Sequence, residues 1–338
     1  MENLVLREYR SKEDMAGTYD LAEVAYVEDY ARIGRDVKAG LRREQRVAAV
    51  LSGLSRIFRA LRDLSTGYVW ARDGRIVSCI HYARCGLDGD RWSIETLMTH
   101  PDEQRKGLAR TLVQKSLEAI RARGGRTCEL KVRADNESAY ALYRSFGFTP
   151  VDSTVHLKNE TPPDGETIGD SAPYVLQPAT AAEWAAGWNE RYELARRERG
   201  SDLELLFPLS PNAFRKPPYA RWLAPILMRM SGIRGERWIV KQEKAGRWVG
   251  TLSAICDRTG GREHELTMSI DPEAEADVAQ PLLATGLEWL DGSGDQPVLL
   301  ELSAARQHAL REARALGFHE IMTWHRLVLR LDSAPDVG

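Results

Sequence analysis

Thr99-His100-Pro101-Asp102-Glu103-Gln104-Arg105-Lys106-Gly107-Leu108-Ala109-Arg110 is the stretch on which the reading of this chain turns. An apolar, alternating segment (91–100) runs into it, and a 3.6-residue periodicity begins at its end. Ala109, Leu112, Val113, Leu117 and Ile120 fall along one face of a helix over 108–123, which Gly124-Gly125 stops. The stretch is therefore a strand-to-helix loop. Gly107 permits positive φ and a close backbone approach. The first N–H groups of the helix lack internal partners, and the macrodipole adds positive potential there. Arg105, Lys106 and Arg110 add formal charge, so the loop is built like a diphosphate cradle. The same composition, taken alone, also fits a helix start whose cations are merely solvated.

About thirty residues on stands Asp135-Asn136-Glu137-Ser138-Ala139-Tyr140-Ala141-Leu142-Tyr143-Arg144-Ser145-Phe146-Gly147-Phe148. Together the two stretches resemble the paired signatures of the GNAT acyltransferase superfamily. Gln104, Gly107 and Ala109 fit Q/R-x-x-G-x-G/A, and 136–148 fit N-x-x-A-x-x-L-Y-x-x-x-G-F at every defining position. The resemblance covers roughly residues 4–157.

The resemblance implies a site. Acetyl-CoA would be the co-substrate, its pantetheine arm bound by backbone groups of Leu97, Met98 and Thr99 on a strand that splays from its neighbour. Gln104, Arg105, Lys106, Gly107, Leu108, Ala109 and Arg110 would form the pyrophosphate loop. Asn136 would hydrogen-bond the pantetheine arm, and Tyr143 would place its hydroxyl by the thioester sulfur. Direct transfer to an amine, with no covalent enzyme intermediate, is the family's usual route. Glu95 is the candidate base: strand alternation puts residues 95, 97 and 99 on one face, and many GNAT enzymes are similar in having Glu there. Its bland alternative is an ion pair with one of the many arginines. His81 and His100 are weaker candidates, and His100 is expected to face solvent. Tyr143 could instead serve core packing, as Tyr140 and Phe148 are expected to do. Residues 129–136 resemble the matching strand of ribosomal-protein N-terminal acetyltransferases, but Lys131 stands where those enzymes carry a catalytic Glu. That departure argues against transferring their protein substrate.

Working outward, Leu4–Arg10 alternates like a strand, and 13–64 is rich in Ala, Leu, Arg and Glu, as helices are. Residues 67–85 read as a hairpin turning at Asp73-Gly74, and 127–134 as a strand. The order is that of a mixed α/β layer fold. Residues 158–173, rich in Pro, Gly and acids, read as an exposed linker. They divide a catalytic domain (1–157) from a second domain (174–332). The second half repeats the order loosely, with strands at 174–179, 237–241, 247–256, 263–270, 297–302 and 323–331 and helices at 277–290 and 304–315. Two tandem GNAT folds are expected, each a mixed, mostly antiparallel sheet flanked by helices. In the second, Gly317-Phe318 repeats the end of the second signature, but Asp271–Pro281 carries four acids, no glycine and no cation. Carboxylates there repel a diphosphate. A degenerate domain that binds no coenzyme A is expected; it could cover the acceptor cleft or provide a homodimer surface.

Bulk properties bound the rest. At 338 residues and 43% apolar content the chain can bury two cores. The net charge of −2 gives no reason to expect nucleic acid. The basic, aromatic stretch 214–247 could contact an anion, yet a solvated surface with core tryptophans explains it as well. Cys79, Cys85, Cys128 and Cys256 have no CxxC spacing, so neither a disulfide framework nor a metal site is expected. No apolar run spans a membrane, and the start carries no signal-like segment, so a cytoplasmic protein is expected. The leading function is acetyl transfer to a primary amine of a small molecule or peptide. Its competitors are a non-catalytic acyl-CoA-binding or interaction protein, O-acylation, and a longer acyl donor.

Overall fold

The computed structural model describes residues 3–27, 66–85, 90–160, 174–200, 203–204, 208–215, 232–257 and 263–332. The helices expected over 28–64, residues 161–173 of the expected linker and residues 216–231 of the basic, aromatic stretch lie outside them. The chain forms two compact units.

In the first unit, β1 (Leu4–Glu8), β2 (Thr66–Arg72), β3 (Arg75–Arg84) and β4 (Arg91–Thr99) are successive antiparallel neighbours. The β2–β3 turn uses Asp73 at φ 48° and Gly74 at φ 85°, the two positive-φ residues that a tight hairpin requires. β4 then pairs in parallel with β5 (Thr127–Arg133) through the crossover helix α2 (Leu108–Ala122). One face of this sheet buries Leu112, Val113, Leu117 and Ile120 of α2 against Ile80, Tyr82, Trp92 and Ile94. The other buries Leu21 and Ala22 of α1 (Ser11–Ala25) against Val69, Ile76, Cys79 and Met98. Each large side chain so buried contributes about 1.5–3 kcal/mol. A short helix, α3 (Glu137–Arg144), follows β5.

The second unit is built the same way. Its strands run in the order β6 (Thr149–Asn159), β11 (Val298–Ser303), β10 (His264–Ile270), β9 (Trp248–Asp257), β8 (Ile233–Gln242), β7 (Tyr174–Pro178). Only β10 and β11 pair in parallel among these five pairings. Helices α4 (Ala181–Ala186), α5 (Trp188–Arg199), α6 (Glu275–Leu290) and α7 (Gln307–Ala315) complete the described elements, with β12 (His319–Arg330) last. Mixed, mostly antiparallel sheets flanked by helices are thus present in both halves.

The units do not divide where composition alone places the boundary. Residues 151–157, expected in the first domain, and 158–159, expected in the linker but forming the end of β6, belong to the second unit, while residues from Arg326 on belong to the first. The reason is packing. Val155 and Leu157 of β6 enter the second core, whereas Leu327 and Leu329 of β12, with Leu331, enter the first. Each unit takes its last strand from the other half of the chain.

Candidate active site

The site begins with a break in strand alternation. His81 on β3 pairs with Thr96 and Tyr82 with Ile94, so Glu95 is an extra residue on β4, a β-bulge. Parallel pairing of β4 with β5 covers Arg91–Ile94 against Thr127–Leu130 and ends there. Beyond it, Thr96 to Thr99 pair with β3 alone among the described strands. The bulge corrects the expectation that 95, 97 and 99 share a face, because alternation does not carry across an inserted residue. Leu97 packs toward the α2 core and Met98 toward the α1 core. Thr99 Oγ1 is hydrogen-bonded with Ser78 Oγ at 2.8 Å, and Ser78 Oγ also donates to the Met98 carbonyl. Glu95 is exposed at the bulge.

After β4, Pro101–Glu103 form a single 3-10 turn. His100 does not face solvent freely as expected. Its Nδ1 accepts from the Asp102 N–H at 3.3 Å and caps this turn. Arg105 at φ 61° and Gly107 at φ 81° then bring the chain into α2. Apart from its chain neighbours, nothing among the described residues lies within 4 Å of where a Gly107 side chain would begin. The backbone N–H groups of Arg105, Lys106, Gly107, Leu108, Ala109 and Arg110 find no acceptor among the described residues. Paired left-handed residues followed by a helix N-terminus make a concave nest of donors that suits an anion.

The surrounding cations are not all free to add to it. Arg110 donates to Ser145 Oγ at 2.9 Å and lies over the Phe146 ring. Lys106 donates to Glu103 Oε2 at 3.2 Å, and Arg72 Nη2 donates to the same oxygen at 2.9 Å. Burial acts to raise the Glu103 carboxyl, but the hydrogen bonds from Arg72 and Lys106 outweigh it and hold the group below its ordinary range. Sequence reasoning missed Glu103: its partner Arg72 lies 31 residues away on another strand, and no local pattern signals the pair.

The second signature stretch forms α3. Asn136 caps it, its Oδ1 accepting from the Ala139 N–H at 3.0 Å. Only the amide NH2 of Asn136 is left to face outward, since Ser138 also donates to Oδ1. Tyr143 is 5% exposed, with its ring edge-on to Phe148 at 5.8 Å. Its hydroxyl has no hydrogen bond among the described residues. Burial, reinforced by nearby Cys128, pushes the phenol well above its ordinary range, so it stays protonated. His81 meets the Tyr9 ring edge-on at 4.5 Å, and its Nε2 is buried without a partner among the described residues. Burial holds this imidazole down to about 4, which keeps it neutral near pH 7. Lys131 is exposed on β5.

Residues 35–148 match the sequence model of the acetyltransferase (GNAT) family. The first unit carries a GNAT acetyltransferase domain. Among curated proteins, mycothiol acetyltransferase of Beutenbergia cavernae is 40% identical over 75 residues, 22% of this chain and 25% of that protein. The ribosomal protein bS18-alanine N-acetyltransferase of Escherichia coli is 41% identical over 59 residues, 18% and 40% of the two chains. N-alpha-acetyltransferase RimI of Mycobacterium tuberculosis is 37% identical over 95 residues, 28% and 58%. The chain thus spans between a quarter and three-fifths of these relatives' lengths. Two solved structures match nearly end to end. A tandem GNAT protein from the clavulanic acid biosynthesis pathway has a TM-score of 0.62 at 14% identity, covering 98% of this chain and all of the other. A GCN5-related N-acetyltransferase from Sphaerobacter thermophilus has a TM-score of 0.61 at 18% identity, covering 99% and 98%. At that identity the likeness is one of fold, and the fold is a tandem GNAT.

The second GNAT fold differs from the first where the GNAT site would lie. β10 pairs with β9 in unbroken register, with no bulge matching Glu95. Of the four acids at 271–281, Glu273 makes an exposed pair with Arg247 at 3.6 Å, and two buried or half-buried ones have structural work. Asp271, 1% exposed, pairs with Arg197 at 2.7 Å and Arg247 at 3.4 Å. Glu275 Oε1 accepts from the His308 and Ala309 N–H groups at 2.8 and 2.9 Å, and Arg306 pairs with its other oxygen at 3.4 Å. The carboxylate at the start of α6 therefore reaches the start of α7 and caps it. Arg306 has nearly the backbone conformation of Asn136 (φ −85°, ψ 67° against φ −90°, ψ 70°). Seven residues after each cap, Ala313 stands where the first unit has Tyr143. Among the described residues no His, Cys, Asp or Glu cluster could hold a metal ion, and no helix is long and apolar enough to cross a membrane.

Proposed function

We propose that the first unit transfers an acetyl group from acetyl-CoA directly to a primary amine of a small molecule or peptide. The observation that carries this reading is the row of backbone donors from Arg105 to Arg110, curled by two positive-φ residues beside the open edge of β4. Those donors would hold the diphosphate, the free edge at Leu97, Met98 and Thr99 the pantetheine arm, and the Asn136 amide its carbonyl groups. The thioester supplies an activated acyl group and a thiolate leaving group. An ammonium acceptor must first lose a proton, and Glu95, at the bulge where the edge opens, is the group we assign to take it, directly or through water. Backbone N–H groups near Met98 or Thr99 would stabilise charge on the carbonyl oxygen. Tyr143, kept protonated by burial, would donate to the departing sulfur. Acetyl-CoA is an intracellular metabolite, so we place the activity in the cytoplasm.

In the second unit the Glu275 cap, the Asp271 ion pairs and Ala313 argue that no coenzyme A binds. Titration calorimetry with coenzyme A should give one site per chain; two sites would refute this assignment, and none would remove the cofactor reading. Relatives named as bS18-alanine and N-alpha acetyltransferases suggest peptide amines, but Lys131 lies where such enzymes carry their Glu, so the acceptor panel should include small amines.

The competing reading is a non-catalytic acyl-CoA binder. Glu95→Gln separates the two. For an enzyme, kcat should fall about 10²-fold with the KM for acetyl-CoA little changed. Thiol release that persists at the wild-type rate would dismiss Glu95 as base. Tight coenzyme A binding with no amine-dependent thiol release would favour the binder.

A further inference from the structure

We propose that Glu103 is the positioning residue of the diphosphate turn, acting through Arg72 and Lys106 rather than by touching the cofactor; this rests on the coenzyme A reading of the loop. Three observations carry it. The side chain is only 11% exposed although it lies in a charged loop at the surface. One oxygen, Oε2, takes hydrogen bonds from both cations, at 2.9 and 3.2 Å. And the two partners belong to different parts of the unit: Arg72 ends β2, while Lys106 sits between the two left-handed residues of the turn.

The turn needs a tether. Arg105 has a Cβ and sits at φ 61°, a region that strains a non-glycine residue. Left alone, such a turn relaxes, and its donors cease to converge. Glu103 fixes the turn's first half to the sheet through Arg72, and its second half through Lys106. A carboxylate beside an anion site looks like a mistake on charge alone, since it weakens the cradle's field. It is compensated locally, because two cations share it. Its burial and double pairing fit a geometric role and not an electrostatic one.

The two roles predict opposite results. Glu103→Gln retains an oxygen that can accept from Arg72 but removes the charge; Glu103→Ala removes both. If position is what matters, calorimetric Kd for coenzyme A should rise about tenfold in Glu103→Ala and stay within about threefold of wild type in Glu103→Gln. Arg72→Met should resemble Glu103→Ala, and it carries the test should Glu103→Ala fail to fold. Ligand-free melting temperatures close to wild type would show that the fold is intact. Tighter binding in both Glu103 variants would mean the carboxylate acts by charge, and would overturn the proposal. An unchanged Kd in Glu103→Ala and Arg72→Met would do the same. Failure of the wild-type chain to bind coenzyme A would instead remove the cofactor reading, and this inference with it.

Discussion

Tyr143→Phe is expected to lower kcat by about two orders of magnitude while leaving the Kd for coenzyme A within about a factor of two. The substitution removes one oxygen and keeps the ring. That ring is what packs: it is 5% exposed and meets Phe148 edge-on, within the core that α2 and α3 share with the sheet. Since the hydroxyl makes no hydrogen bond among the described residues, the folded state loses little when it goes, and packing is unchanged. What is lost is a donor that burial keeps protonated at neutral pH. A thiolate leaving into a partly desolvated slot needs such a donor more than it would in water. Steady-state thiol release gives kcat, and a thermal melt shows that the fold is intact. A variant that melts normally and turns over at the wild-type rate would reduce Tyr143 to a packing residue.

Gly107→Val is expected to abolish measurable coenzyme A binding, a rise in Kd of at least about 10²-fold, at small expense in stability. Gly107 sits at φ 81° at the start of α2. A β-branched residue there carries strain of about 1–2 kcal/mol or more. Apart from its chain neighbours, no atom of the described residues lies within 4 Å of the added Cβ, so the cost is backbone strain rather than a clash with the rest of the fold. The new methyl groups would instead occupy the space above the donor row, where an anion must approach. Two effects then act together: strain tends to flatten the turn, and the side chain fills the cradle. Calorimetry and a thermal melt on the same sample separate them. Wild-type affinity in Gly107→Val would mean that the cofactor does not lie on this turn.

The elements that were legible in the sequence are those whose signals are local. The α2 stripe, the Asp73-Gly74 hairpin and the positive-φ glycine of the loop each need only a few neighbouring residues to be read, and each stands in the structure where its residues imply. The bulge at Glu95 was not legible, because strand alternation is a rule about one strand and a bulge is a mismatch between two. The same holds for Arg72 with Glu103, for Glu275 capping α7 from 33 residues away, and for the exit strands. Residues 151–159 and 326–330 have ordinary strand patterns, and nothing in an alternating pattern says which sheet will accept it. Composition marks 158–173 as polar, but partner choice by Val155, Leu157, Leu327 and Leu329 decides unit membership. The His100 cap is hidden for a related reason: a histidine before proline has solvent as its default, and a backbone N–H two residues on changes that.

The placement of β12 has a consequence for how the protein is made. The edge of β5 is covered by β12, whose residues the ribosome adds only after most of the second unit. Until they emerge, a nascent first unit presents an unpaired strand edge and lacks Leu327 and Leu329 in its core. Such an edge is a template for pairing with other chains, so the first unit stays at risk during synthesis although its own segments were translated early. The catalytic half and its companion are therefore not separable cargo. A gene fragment ending in the polar stretch after Asn159 encodes neither unit, and the second half is obliged to be present even if it never binds a cofactor of its own.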